Sequence, residues 1–105
     1  MPSFASFPVQ NVGTVEKELY HNDTALSAVI TGCNVANLQA SNLPVTVGIR
    51  RGQTFTRIAP TKMIAGDDNE ELAKGKIVVM PDDRVVAFSN TDDAFDIILS
   101  VLQGV

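Results

Sequence analysis

The 105-residue chain contains no tryptophan, one tyrosine, one histidine and one cysteine. A lone Cys33 cannot form an intrachain disulfide, so any fold has to rest on apolar burial and backbone hydrogen bonding. Cys33 and His21 together cannot build a conventional zinc site. No apolar run approaches the roughly 18 residues of a membrane-spanning helix. The opening residues, Met1 to Pro8, lack the basic end and apolar stretch of a secretory leader, so a soluble protein made in the cytoplasm is expected. Basic charge is scarce as well. Eight Lys and Arg stand against twelve Asp and Glu, a net charge of −4, and an acidic chain of this kind is a poor partner for nucleic acid.

What is present is a globular composition, 45% apolar and 19% charged, sufficient for one core at this length and too short for two. Residues 1 to 13 stand apart, carrying Phe4, Phe7, Val9 and Val12 with two prolines and no charged side chain. They read as an extended arm, leaving residues 14 to 105 as a single β-domain.

Thr14 to Tyr20 reads as a short strand ended by the turn-forming His21, Asn22 and Asp23. Ala25 to Val35 is dense in small and β-branched residues, and Gly32 within it points to a bulge or a close backbone approach. Val45, Val47 and Ile49 alternate with Thr46, Gly48 and Arg50, the period of a half-buried strand. Arg51, Gly52 and Gln53 turn the chain into Thr54 to Ala59, which Pro60 ends or places at an edge. Asp68 to Lys74 is the one helix candidate, with Asp68 and Glu71 as a capping box and Gly75 as a stop, but at barely two turns a loop is an equal alternative. Lys76 to Met80, a turn at Pro81 to Asp83, and Arg84 to Phe88 read as a hairpin. In the final strand, Phe95, Ile97, Leu99 and Val101 point one way while Ile98 and Leu102 point the other. Six or seven short strands separated by turns give an all-β fold: a short-stranded antiparallel β-sandwich or jelly-roll-like barrel with an extended N-terminal arm.

Each candidate for chemistry has a simpler explanation. Asp67, Asp68, Glu70 and Glu71 lack the alternating spacing and central glycine of a calcium loop. The pairs Asp82-Asp83 and Asp92-Asp93 occupy turns, where aspartate is favoured for backbone hydrogen bonding. No nucleophile motif surrounds Cys33, and a cysteine in a β-rich stretch is ordinarily a small buried hydrophobe. Asn22-Asp23-Thr24 matches a glycosylation acceptor but lacks the secretory context that gives it meaning. Arg50, Arg51, Arg57 and Lys62 form the only basic concentration, without interleaved aromatics for stacking on bases. No catalytic, cofactor-binding or metal-binding residues are assigned. The residues left without an internal purpose are the apolar ones of the arm and the outward positions of the last strand. Phe4, Phe7, Val9, Val12, Ile98 and Leu102 are accordingly expected to form an assembly interface, with the arm lying on its own domain or on a neighbour.

The order of pieces carries a resemblance. A Tyr20 ends the first strand; Ala28 to Asn37 follows, then Pro44 to Ile49, then Gly75 to Val85 and Phe95 to Leu102. Over residues 19 to 103 this resembles the small all-β virion proteins of tailed bacteriophages, which decorate heads or sit at the neck and tail. Two departures mark this chain: Asp82-Asp83 stands where the group has Gly-Asp, and His21 to Asp23 follows the tyrosine in place of a Thr-Ala-Pro-like segment. The resemblance implies a non-enzymatic structural subunit located in the virion, partnered by copies of itself or by other virion proteins, with no nucleic-acid, membrane or small-molecule partner. Two rivals come from other classes. A binding module for a cell-surface glycan or protein would want exposed aromatics, and a jelly-roll enzyme would want a cluster of His and carboxylates. The sequence is poor in both.

Overall fold

A computed structural model describes residues 2 to 105; Met1 lies outside the described residues. Ten strands run in chain order: β1 (Ser3–Val12), β2 (Lys17–His21), β3 (Ala28–Asn37), β4 (Leu43–Arg51), β5 (Thr54–Arg57), β6 (Lys62–Ile64), β7 (Asn69–Glu71), β8 (Ile77–Val79), β9 (Arg84–Ser89) and β10 (Phe95–Gln103). All pairings are antiparallel. They form two sheets. Sheet A runs β1-β10-β3 and is completed by β7 and β8, both bonded to β3. Sheet B runs β2-β9-β4 and is completed by β5 and β6, both bonded to β4. If β5 with β6, and β7 with β8, are each taken as one interrupted strand, the chain passes between the sheets in the order of a jelly roll.

The alternation read in the sequence builds the core. Phe95, Ile97, Leu99 and Val101 of β10 are fully buried, as are Ile30, Cys33 and Val35 of β3. They face Val45 and Val47 of β4 and Val85 and Ala87 of β9. Gly32 does sit at an irregularity: Ser100 pairs with Gly32 but Val101 pairs with Ile30, leaving Thr31 as the extra residue of a bulge. The Gly52-Gln53 turn closes the β4–β5 hairpin on the Arg51–Thr54 pair, with Gly52 at φ 60°.

Three expectations change. The stretch read as an arm separate from the domain is, over Ser3–Val12, the edge strand of sheet A, bonded to β10 in register from Ser3–Gln103 to Val9–Ile97. Phe7, Val9 and Val12 turn inward and pack on the core, and Pro8 is tolerated because an edge strand turns every second N–H to solvent. Asp68 to Lys74, read as a short helix or a loop, instead contains a short strand: Asn69–Glu71 pairs with β3, since two helical turns gain less than a ladder on an open sheet edge. The β8–β9 hairpin is not a hairpin. Its turn exists, with the N–H of Asp83 donating to the carbonyl of Met80 at 3.1 Å, but β8 joins sheet A and β9 joins sheet B.

A buried asparagine fastens the loops at each end of β3. Asn22 Nδ2 donates to the carbonyls of Leu26 and Val79 at 2.9 and 3.1 Å. At the other end Asn37 Nδ2 donates to the carbonyls of Ser41 and Ile64 at 2.9 and 3.0 Å. Loop backbone that would otherwise be buried unpaired is satisfied in this way.

Candidate assembly face

Register places side chains from four strands in rows on the solvent side of sheet A. Phe4 faces Leu102, Leu102 faces Val29, and Val29 faces Val78, so one apolar row crosses β1, β10, β3 and β8. A second row runs Pro8, Ile98, Asn34 and Glu71, and between the two lie Ser6, Ser100 and Gly32. Phe4 is 81% exposed, Val78 50% and Ile98 45%. Leu102 and Val29 are half-buried by their neighbours. None of these side chains is needed for the core, which closes on the opposite face of the same strands.

The six residues expected at an interface therefore divide. Phe4, Ile98 and Leu102 share the outer face. Phe7 and Val9 are half-buried on the inner side, with the Phe7 ring 4.8 Å from that of Tyr20, and Val12 is completely buried. Those three belong to the sandwich itself, because strand alternation sends odd positions of β1 inward as far as Val9 and the irregularity between Val9 and Val12 sends Val12 inward too. Val29, Val78 and Pro8 join the face without having been singled out in the sequence. The signal that places them is pairing between distant strands, which no local pattern contains.

Two carboxylates lie on this face, and both are turned onto backbone. Asp96 accepts the N–H of Asn11 at 3.0 Å. Glu71 accepts the N–H groups of Cys33 and Ala73, the latter at 2.9 Å, and its Oε1 would lie 3.2 Å from a Cβ at position 32, so the bulge glycine makes room for it. The outer face of sheet B has a different chemistry. Arg50 bonds Glu16 through two nitrogens at 2.6 and 3.0 Å, Arg84 lies 2.9 Å from Glu18, and Arg50 and Arg57 sit 5.3 and 5.8 Å over the ring of Phe55. Phe55 lies flat across Gly48, where a Cβ would come within 2.6 Å of the ring.

Among the described residues there is no cluster of three or more His, Cys, Asp or Glu positioned to hold a metal. Burial, with Glu71 nearby, pushes the Cys33 thiol up to about 12, so it remains a neutral thiol at neutral pH. His21 lies 2.9 Å from Asp82 on the surface. Asp83 is buried and takes two hydrogen bonds of 2.8 Å from Arg51. The Arg51 guanidinium holds its carboxyl below the usual range, with the N–H of Met80 helping and burial opposing. This is a clamp between the β4–β5 and β8–β9 turns, since the buried Asp83 carboxylate is held by Arg51 on one side and by the N–H of Met80 on the other. A groove of about 520 Å³ at the interrupted edges is lined by Ile58, Pro60, Leu72 and Ile77, and the Lys62–Glu70 pair at 3.7 Å crosses it.

No family model matches the chain, and no curated protein matches it. Among solved structures, it is similar to a protein from work on Bacillus endospore appendages, described as forming a novel family of disulfide-linked pili. The TM-score is 0.58 at 12% identity, over 97% of this chain and 84% of that one. At that identity the likeness shows a shared fold.

Proposed function

We propose that the chain is a non-enzymatic structural subunit of a tailed-phage virion, docking on the capsid lattice or at the neck or tail through the outer face of sheet A. The observation that carries this reading is the row of Phe4, Leu102, Val29 and Val78, which spans a whole sheet on the solvent side while the core is complete without it. An apolar stripe of this extent on a small domain marks a surface meant for a partner. Complete burial of an exposed side chain of this kind contributes about 1.5–3 kcal/mol before ordering costs, and the half-buried members of the row gain a part of that. The phage assignment draws on the order of strand motifs in the sequence, and the similar fold of a pilus protein supports a role in assembly. Disulfide linkage between copies is not part of the proposal, since Cys33 is fully buried.

The test is peptide mass spectrometry and electron microscopy of particles released by cells that make the chain. The expected result is a fixed, stoichiometric copy number that falls when Ile98 or Leu102 is changed to Asp. Absence of the chain from purified particles overturns the proposal.

A further inference from the structure

We propose that β1 pairs along its free edge with β1 of a second copy, antiparallel about a two-fold axis at Ala5, so that sheet A of one molecule continues into sheet A of the other. The edges of the sandwich are not alike. β5/β6 is broken at residues 58–61, which include Pro60, and β7/β8 is broken at residues 72–76. β2 has five residues, including Lys17, Glu18 and His21. β1 has ten, without a charged side chain, and is bonded on one side only, to β10. A long uncharged edge is a template for another strand.

Which groups face that edge follows from one contact and from the position of one proline. Successive residues of an antiparallel strand turn their N–H and C=O groups to opposite sides. The carbonyl of Gln10 accepts Lys17 Nζ at 2.7 Å, away from β10. Pro8, in unbroken register with Ile98, has no N–H to give to β10 and so occupies an outward position. Both place Phe4, Ser6 and Pro8 on the free edge.

The sequence of the edge selects the occupant. Pro2 and Pro8 lie three residues on either side of Ala5. In an antiparallel copy centred on Ala5, Phe4 meets Ser6 of the second copy and Ser6 meets its Phe4, each pair exchanging two hydrogen bonds. Pro2 then falls opposite Pro8, so the residues without an N–H face one another and no donor is left unmatched. The facing residues from Pro2 to Pro8 carry no charge, so the pairing itself sets no like charges opposite one another although each chain carries −4. The two Phe4 rings, each 81% exposed in one copy, become diagonal neighbours within reach of each other. The contact lies at the side of sheet A and leaves the Leu102, Val29 and Val78 end of the row open. It does not depend on the virion reading.

The experiment is sedimentation of the purified full-length chain over about 1–100 μM, a range chosen to span ordinary weak dimers, together with two variants. Ser6→Pro deletes an N–H that faces solvent in the single copy, so the domain keeps its unfolding temperature, while two of four inter-copy bonds are lost and the dimer dissociation constant rises about tenfold or more. Ala5→Cys places the new thiol beside its mate, because facing non-hydrogen-bonded residues have Cα atoms about 4.5 Å apart, within disulfide reach. Mild oxidation therefore cross-links Ala5→Cys but not Ser6→Cys, and buried Cys33 does not compete. A monomer throughout the range, a dimer indifferent to Ser6→Pro, or Ser6→Cys cross-linking as readily as Ala5→Cys overturns the proposal. Since these readouts use pure protein, their failure leaves the particle measurement of docking standing, and the reverse holds as well.

Discussion

The two solvent faces of the sandwich are built on the same backbone pattern and finished differently. On sheet B each exposed aromatic or cation has an internal partner: Arg50 with Glu16, Arg84 with Glu18, and Phe55 beneath Arg50 and Arg57. On sheet A, Phe4 and Val78 are uncovered, and the two carboxylates are already engaged with backbone N–H groups. Ion pairs at the surface add little to stability, but docking on them requires stripping water from several charges. A partner landing on the Phe4, Leu102, Val29 and Val78 row of sheet A displaces water mainly from apolar atoms. Sheet B leaves one large apolar side chain open at its edge, Met63 at 59% exposure, whereas sheet A carries a continuous apolar row across four strands.

The largest expected effect separates the two sides of one strand. Leu99 and Ile98 are adjacent in β10, one buried and one 45% exposed. Leu99→Ala should cost about 2–5 kcal/mol, whereas Ile98→Asp should cost about 1 kcal/mol, the loss of strand propensity at a half-covered position. Urea unfolding of both variants reads the difference, and a large loss at Ile98 would move that residue from the docking surface to the core.

A second pair of variants divides the charges of sheet B into structural and superficial ones. Arg51→Ala strands the buried carboxylate of Asp83 and should cost about 2–3 kcal/mol. Arg50→Ala, in an exposed pair, should leave the unfolding midpoint close to that of the parent chain. The pH dependence has a definite sign. The folded-state pKa of Asp83 is lowered by Arg51, so this stabilisation is fully present above the unfolded carboxyl pKa of about 4 and is lost as pH falls through the lower folded value. Acid titration of thermal stability should show that loss in the parent chain and a reduced loss in Arg51→Ala.

A smaller effect lies in the turn joining the two sheets. Asp82 has φ 70°, at the turn position where glycine is at ease and a side chain with a Cβ is not. Asp82→Ala should lower stability by about 1 kcal/mol, while Asp82→Gly should be tolerated, despite losing the surface contact to His21. Equal losses in the two would mean that the His21 contact, and not the backbone, governs this turn.

The sequence revealed whatever was encoded within one strand or turn. The alternation at Val45, Val47 and Ile49, the inward set from Phe95 to Val101, the glycine turn at Gly52 and the bulge at Gly32 all rest on neighbouring residues. What depended on partners far along the chain was hidden. β1 reads as an arm because nothing in residues 1 to 13 names β10, more than 80 positions away. Residues 69–71 carry helix-capping chemistry, and only the open edge of β3 makes them a strand. The hairpin signal at Pro81 predicts the turn correctly but cannot say that its two arms enter different sheets. The candidate face suffered most, because a row through Phe4, Leu102, Val29 and Val78 exists only once three strand registers are fixed.

The most direct test of the central claim sets the two faces against each other on particles. Occupancy per folded molecule should be measured for Leu102→Asp on sheet A and Arg57→Asp on sheet B, beside the parent chain. The account predicts at least a tenfold loss of occupancy for Leu102→Asp, since a desolvated carboxylate on the apolar row opposes docking, and near-parent occupancy for Arg57→Asp. Loss confined to Arg57→Asp, or equal retention of both, would contradict it.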